Sequence, residues 1–158
     1  MYLQLKLNLG ITLLFSLLIF FNITNASTNE KDYFLTLKNN KVNLRDGPSK
    51  DYPIILVYKK KYLPVEILDS WENWRKIRDI ENNSGWIHIA LLSKKKSAIN
   101  QDNNSIIFSS NTVYSQPLVK VEKGRLLLIK KCNYEWCKVT SGGYIGWMKK
   151  KSLWGKIK

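Results

Sequence analysis

Short apolar runs alternate with polar turn segments along most of this chain. After residue 30 no segment keeps the spacing of an amphipathic helix; the runs are instead rich in β-branched and aromatic residues and are bounded by turn residues. The predicted strands of the first half are Tyr33–Leu37, Val42–Arg45, Ile54–Tyr58, Leu63–Asp69, Trp74–Arg78 and Gly85–His88. Those of the second half are Ile106–Phe108, Thr112–Tyr114, Leu126–Lys131, Trp136–Val139 and Tyr144–Met148. The pattern therefore predicts an all-β fold.

The two halves of this pattern resemble each other. In each half one Trp (Trp74 or Trp136) is followed by a second Trp (Trp86 or Trp147) that comes directly after a Gly. The step between the two is 12 residues in the first half (86 minus 74) and 11 in the second (147 minus 136). Such a repeat predicts two copies of one small unit in tandem.

The offset between equivalent residues of the two copies is larger in their upstream parts than at the Trp residues. The segment Asn43–Pro48 aligns with Thr112–Pro117, and this separation exceeds the one between Trp74 and Trp136. The alignment therefore predicts that the second copy lacks about seven residues between its first strand and its central Trp.

The repeat also predicts the domain boundaries. We expect a first domain at residues 32–93, a linker at residues 94–104, which are polar and poor in large side chains, and a second domain at residues 105–158. The alternative for Ser97–Ile99 is a strand that continues the first domain. A unit of about 55 to 60 residues is near the lower limit for an independent core. A small closed barrel overcomes this limit by removing sheet edges and packing its few large side chains centrally. The repeated Trp residues are accordingly predicted to form the structural core: Trp74, Trp86, Trp136 and Trp147.

An apolar run precedes the β pattern. It extends over Leu7–Ile23 behind the single charge of Lys6, and its strongest part has the length of a signal-peptide core. Small residues at Thr24 and Ala26 predict cleavage after Ala26, so that residues 1–26 are a signal peptide. The alternative is an uncleaved N-terminal anchor. We expect export to the periplasm, the cell envelope or the extracellular space, and no membrane span after cleavage.

Charge adds one further expectation. The formal net charge is +14, and most of the cations are Lys rather than Arg. A basic balance favours acidic partners, but nucleic-acid readers rely on the donor fork of Arg, so no specific nucleic acid is expected. The Lys runs 59–61, 94–96 and 149–151 are interpreted as solvated faces. An anionic polymer becomes the better explanation if two of them converge in space.

The two cysteines, Cys132 and Cys137, are separated by four residues. In an exported protein such a pair predicts a disulfide, here between facing positions of a hairpin. A reactive dithiol is the alternative, although its usual spacing has two intervening residues. A metal site would need more ligands, and the single His of the chain, His88, is distant in sequence.

The opening of the first copy, residues 42–48, reads Val-Asn-Leu-Arg-Asp-Gly-Pro and is followed by Asp51-Tyr52-Pro53, Trp74 and Gly85-Trp86-Ile87. These residues resemble the bacterial SH3-like (SH3b) domain family, in which Val-Asn-Leu-Arg-x-Gly-Pro is the characteristic opening. The resemblance covers roughly residues 32–154. It implies two SH3-like β-barrels in tandem, each partly open with five or six strands.

The second copy departs from the family opening. On the sequence alignment Thr112, Tyr114 and Gln116 replace Asn43, Arg45 and Gly47 of the first copy. The resemblance places a ligand groove beside the opening loop, so ligand chemistry is expected in the first copy. The candidate ligand-binding residues are Asn43, Arg45, Asp46, Gly47, Tyr52 and Trp71. The alternative is that Arg45 pairs with a nearby carboxylate and Gly47 only serves the turn.

No catalytic set assembles from the sequence. His88 lies on a strand without a nucleophile motif, and the acidic residues are scattered over turns and strand ends. We therefore expect no enzyme, no cofactor and no metal. The resemblance implies a binding role, with peptidoglycan or a short peptide held in a shallow aromatic groove. The alternative is a structural or adaptor protein that docks another envelope protein or a polyanion through a basic face. A monomer is expected.

Overall fold

The computed structural model describes residues 33–155, so the predicted signal peptide at residues 1–26 lies outside the described residues. The described chain consists of strands and two short 3-10 turns, Ile89–Leu91 and Lys150–Ser152. The first seven strands are β1 (Tyr33–Leu37), β2 (Val42–Arg45), β3 (Ile54–Tyr58), β4 (Pro64–Trp71), β5 (Trp74–Arg78), β6 (Ser84–His88) and β7 (Leu92–Ser93). The second seven are β8 (Ser97–Asn100), β9 (Ser105–Phe108), β10 (Pro117–Val121), β11 (Leu126–Cys132), β12 (Trp136–Ser141), β13 (Tyr144–Lys149) and β14 (Leu153–Gly155). The all-β prediction is confirmed.

The strands form two antiparallel sheets with the same topology. The first has the order β3-β2-β6-β5-β4-β1-β7 and the second the order β10-β9-β13-β12-β11-β8-β14. Each strand of the first sheet thus has an equivalent in the second, which confirms the tandem repeat. Both sheets are open, with β3 and β7 as the edges of the first and β10 and β14 as the edges of the second. The open edges agree with the expected partly open barrels, but each sheet has seven strands rather than five or six.

The register of the sheets corrects the upstream alignment of the two copies. Arg45 on β2 pairs with Trp86, and Phe108 on β9 pairs with Trp147. Arg45 and Phe108 are therefore equivalent positions. Arg45 and Phe108 are separated in sequence by only one position more than Trp74 and Trp136 are. The predicted loss of about seven residues from the second copy is therefore wrong.

The segment that the sequence aligns with the family opening is not a strand. Residues 112–114 form a turn in which the side chains of Val113 and Tyr114 are exposed, the latter by 95%. The strand prediction for this segment was wrong because β-branched and aromatic residues are typical of strands, whereas here no neighbouring strand pairs with the segment. The strand that follows, β10, was missed because it begins at Pro117, a residue that occurs in strands mainly at their ends and edges.

Two hydrophobic clusters form the cores, one beneath each sheet. The first is built from β-branched and Leu side chains such as Leu44, Ile77 and Ile87, all fully buried. The second contains the corresponding Ile107 and Val139. Successive residues of a strand point to opposite faces, so a strand contributes only alternate side chains to its cluster.

This alternation corrects the prediction for the Trp residues. Gly85 and Ile87 on β6 are buried, so Trp86 between them faces away from the core and is half-buried. Trp74 on β5 and Trp147 on β13 are also half-buried, each on the face of its own sheet that points away from the core. None of the three Trp residues belongs to a core cluster. Trp136 is buried, with 6% of its surface exposed, but it also lies outside the second cluster.

The segment between the copies contributes a strand. Residues 97–100, which fall within the predicted linker 94–104, form β8 and pair with both β11 and β14 of the second sheet. All four of these residues are buried. Only residues 94–96 run between the two sheets without belonging to a strand. The alternative of a strand at Ser97–Ile99 is thus correct, but the strand belongs to the second sheet rather than to the first. Hydrogen bonds rather than apolar contacts stabilise its buried residues Ser97 and Asn100.

The disulfide predicted from the cysteine spacing is present. Cys132 at the end of β11 is bonded to Cys137 on β12, and the two residues face each other in the register of the hairpin. Cys137 is fully buried in the second core cluster.

Reduction of this disulfide is expected to lower the free energy of unfolding by about 2 kcal/mol, because the bond closes a short loop in the unfolded chain. Urea denaturation with and without dithiothreitol measures the change. Since Cys132 and Cys137 are the only cysteines of the chain, the Cys132→Ala variant should unfold at the same urea concentration in both buffers. An unchanged midpoint for the reduced wild type would contradict the prediction.

Candidate functional site

The opening loop of the first sheet is held in place by Arg45. Its guanidinium Nη1 donates hydrogen bonds to the carbonyl oxygens of Lys50 at 2.8 Å and Tyr52 at 2.7 Å. The backbone N–H of Asp46 donates to the carbonyl oxygen of Pro53 at 3.1 Å and closes the same loop. Arg45 thus ties the end of β2 to the beginning of β3, and its acceptors are backbone oxygens rather than a neighbouring carboxylate.

Gly47 and Tyr52 form a close contact within this loop. A Cβ atom added to Gly47 would lie 2.5 Å from three ring carbons of Tyr52, so the ring lies directly over the glycine backbone. Gly47 is buried beneath the ring, while 47% of the Tyr52 surface remains exposed. The motif Gly is therefore required for close approach and not only for the turn. It fixes one face of an aromatic ring and leaves the rest of the side chain to solvent.

The remaining site candidates lie elsewhere on the first sheet. Asn43 is half-buried on β2 and pairs with Val57 of β3. Trp71 is 60% exposed and pairs with Trp74 across the hairpin between β4 and β5. That hairpin lies level with His88, at one end of β6, because Trp74 pairs with His88.

The opening loop lies toward the other end of β6. Arg45 pairs with Trp86 in antiparallel register, so the residues after Arg45 continue toward Ser84. The structure therefore brings Arg45, Asp46, Gly47 and Tyr52 together on one loop, with Asn43 on the adjoining strand. It does not place Trp71 with them.

The outer face of the second sheet has a different character. Phe108, at the position of Arg45, packs edge-on against Trp136 with 5.9 Å between ring centroids. Lys131 Nζ lies 5.6 Å from the centre of the Trp147 ring, and Lys149 Nζ lies 5.8 Å from that of Trp136. The lysines thus cover aromatic rings, an arrangement worth about 0.5 to 1 kcal/mol at exposed sites. The Arg-braced loop of the first sheet has no counterpart here.

A cleft between the two sheets was not foreseen from the sequence. Its volume is about 720 Å³. Its lining comes from β3 and the β3–β4 and β5–β6 loops of the first sheet, and from β8 and the β10–β11 loop of the second. The described residues belong to one compact unit. A hydrogen bond joins the two sheets next to the cleft: Ser97 Oγ donates to the carbonyl oxygen of Tyr62 at 2.6 Å.

Asp79 organises the wall of the cleft in the first sheet. Its carboxylate accepts hydrogen bonds from the backbone N–H groups of Glu81 and Asn83, from Asn83 Nδ2 and from the hydroxyl of Tyr58, all at 2.9 Å. Burial, together with the hydrogen bond to Asp79, raises the pKa of Tyr58 far above its ordinary value. The hydroxyl therefore stays protonated as a donor, and the oxygens of Asp79 are occupied by the protein itself.

Asn100 organises the wall of the cleft that belongs to the second sheet. It is fully buried, and its Nδ2 donates to the carbonyl oxygens of Asp102, Val121 and Glu122 at 2.7 to 3.0 Å. Its backbone carbonyl accepts from the N–H of Gly124 at 2.8 Å. The β10–β11 loop is thereby fixed against β8, at the edge of the cleft.

Two further features concern metal ions and membranes. Within residues 33–155 no group of three or more His, Cys, Asp or Glu side chains is placed to hold a metal ion. No helix of this described part has the length and apolar character needed to cross a membrane.

Comparisons with known proteins give a family and two distant structures. Residues 38–94 and 106–155 each match the bacterial SH3 domain. A search of curated proteins finds no match. NlpC2 from Trichomonas vaginalis is 17% identical, with 80% of this chain and 49% of that chain covered, at a TM-score of 0.37. NlpC1 from the same organism is also 17% identical, with 83% and 48% covered, at a TM-score of 0.36. The chain thus spans about half the length of these two structures.

The matched segments follow the two sheets. Residues 38–94 contain β2 to β7, and residues 106–155 contain most of β9 and all strands from β10 to β14. Together they include more than half of the sequence, and the register relates them as equivalent copies. The chain therefore belongs to the bacterial SH3 domain family, of which it carries two copies in tandem.

Proposed function

We propose that this protein is a non-enzymatic binding module of the cell envelope that holds peptidoglycan or a short peptide. The observation that carries the proposal is the family match of both copies, combined with the opening loop on which Arg45 and Gly47 present the ring of Tyr52. In this proposal the protein is exported and acts as a monomer, without a cofactor.

The mode of binding follows from the loop. An aromatic ring with one fixed face loses little conformational freedom when a ligand contacts it, and it offers apolar area together with a polar hydroxyl. Such a ring suits the apolar face of a sugar or the side chains of a short peptide. Ile54 and Ile55, which follow the loop on β3, are 46% and 50% exposed and extend the apolar surface.

A second function is favoured by the charge. The formal net charge is +14, and the described part of the chain contains one ion pair, Arg78 with Glu66 at 2.6 Å. Most lysines within residues 33–155 therefore have no ion pair with an acid of that range. A basic face of this kind would dock an acidic envelope protein or an anionic polymer, with an affinity that decreases steeply as salt is added.

Replacement of Tyr52 by Ala is expected to weaken binding to purified peptidoglycan sacculi about tenfold, as loss of one aromatic anchor often does. The measurement is co-sedimentation of the protein with sacculi at low and at high salt. Tyr114→Ala is the matched control, because Tyr114 is 95% exposed on a turn of the second copy. It should bind like the wild type.

The outcomes separate the two functions. Retention at both salt concentrations that Tyr52→Ala reduces and Tyr114→Ala leaves unchanged supports the aromatic loop. Retention only at low salt, unaffected by either variant, favours the basic face. No retention in either buffer would rule out peptidoglycan as the ligand.

A further inference from the structure

We infer that the cleft between the two sheets is a second binding site, whose ligand is a short peptide with a free carboxylate. The choice of a peptide rests on the proposed function. The site itself is independent of the opening loop, because Tyr52 does not line the cleft. At about 720 Å³ it falls within the range of about 300 to 1,000 Å³ that ligand pockets occupy.

The cations of the cleft come from two equivalent loops. Lys59 and Lys60 lie on the β3–β4 loop of the first copy, and Lys123 lies on the β10–β11 loop of the second. Because β3 and β4 correspond to β10 and β11, the fold brings the same loop of each copy to one place. Lys60 also lines an adjoining depression together with Arg125, which extends the positive rim. Sequence alone did not reveal this convergence, because the two loops belong to different copies and are far apart along the chain.

These lysines are available to a ligand. Lys59, Lys60 and Lys123 are exposed, and none of them forms an ion pair with an acid of the described residues. Of the two acids that line the cleft, Asp79 has its oxygens occupied by hydrogen bonds within its own wall. Glu81 is exposed at the rim. The lining thus carries three cations against two acids, and its net positive charge complements a carboxylate.

The walls indicate a peptide rather than a bare anion. Leu56, Leu63, Ile80 and Ile99 line the cleft, so much of its wall is apolar. The amide residues Asn83 and Asn100 also contribute to the lining, although hydrogen bonds already position both. An apolar wall with cations at the rim matches a peptide whose side chains enter the cleft while its carboxylate remains at the edge.

Two of the loops that line the cleft are held in place by buried polar side chains, so the cleft is largely preformed. Asp79 holds the β5–β6 loop, and Asn100 holds the β10–β11 loop that carries Lys123. Across the junction Phe34 packs edge-on against Trp154, with 5.0 Å between ring centroids. A ligand entering such a site does not have to order it, and this favours affinity.

The test uses calorimetric titration of the protein with a synthetic peptidoglycan stem peptide, in its free-acid form and with all carboxylates amidated. The double variant Lys60→Gln/Lys123→Gln should bind the free acid about tenfold more weakly than the wild type, a change of about 1.4 kcal/mol. The matched control is Lys76→Gln/Lys130→Gln, which removes the same charge from exposed positions on β5 and β11 outside the cleft. It should bind like the wild type.

Amidation should weaken binding to the wild type by about the same factor as the cleft variant, because both remove the same contact. Equal affinity for both peptide forms, or an equal loss in the cleft and control variants, would overturn the inference. Co-sedimentation with sacculi distinguishes failure of the cleft inference from failure of the proposed function. If the wild type is retained by sacculi but the cleft variant binds the peptide normally, only the cleft site is lost; if neither sacculi nor peptide bind, both proposals fall.

Discussion

Replacement of Gly146 by Ala is expected to lower the free energy of unfolding by about 3 kcal/mol or more, since overpacking against atoms that cannot move reaches the upper end of its usual cost. Gly146 lies on β13 directly before Trp147, which pairs with Phe108 of β9. An added Cβ would overlap the carbonyl oxygen of Phe108 and lie 2.5 Å from Cγ2 of Ile107. The oxygen is part of the backbone of a neighbouring strand, and Ile107 is fully buried, so neither can yield without displacing the sheet.

The same close approach occurs in the first copy. A Cβ on Gly85 would lie 2.6 Å from the carbonyl oxygen of Arg45 and 2.8 Å from Cγ of Leu44. The glycine before the second Trp therefore serves the same purpose in both sheets: it lets two paired antiparallel strands approach each other closely.

Urea denaturation of Gly146→Ala checks the expected loss, with Tyr144→Ala as the control on the same strand. Tyr144 is 48% exposed, so its truncation should change stability by less than about 1 kcal/mol. Equal stability of Gly146→Ala and the wild type would contradict the close contact between β13 and β9.

Replacement of Asn100 by Ala is expected to cost about 3 kcal/mol, because buried carbonyl groups lose their donor. The two hydrogens of Nδ2 are shared among three acceptors, and Oδ1 in turn accepts from Ser105 Oγ at 2.8 Å and from the N–H of Asp102 at 3.2 Å. Water cannot easily replace these bonds, since Asn100 is fully buried.

The isosteric change Asn100→Asp makes this test sharper. At neutral pH its carboxylate has no hydrogen to donate and would face the carbonyl oxygens of Val121 and Glu122, so it should destabilise at least as much as Asn100→Ala. Denaturation at neutral pH compares the two variants. An Asn100→Asp protein as stable as the wild type would show that the Nδ2 bonds do not hold the β10–β11 loop.

Local patterns predicted most strands but not their faces. In β2, β5 and β6 the boundaries or centres follow from β-branched and aromatic residues between turns. The size and apolar character of Trp86 predict a core position, yet Ile87 beside it occupies that position. When adjacent residues are both apolar, alternation alone does not say which of them points inward. The Gly before Trp86 carries that information, since it is buried against Arg45 and Leu44.

The candidate site was predictable only in part. The contiguous motif indicated the loop of Arg45, Gly47 and Tyr52, because its residues are close together in sequence as well as in space. The sequence also predicts Trp71 as a ligand-binding residue, but the register of β4, β5 and β6 places it at the other end of the sheet. The cleft depends on the meeting of loops from different copies, those of Lys60 and Lys123, and no local pattern encodes such a meeting.

The most direct test of envelope binding is incubation of the wild-type protein with purified sacculi at physiological salt for several hours. Two quantities are measured together: the fraction of protein that sediments, and the soluble peptidoglycan fragments released into the supernatant. We predict that most of the protein sediments and that fragment release does not exceed that of sacculi alone. Protein that stays in the supernatant would contradict wall binding, and fragments that accumulate with time would contradict a non-enzymatic role.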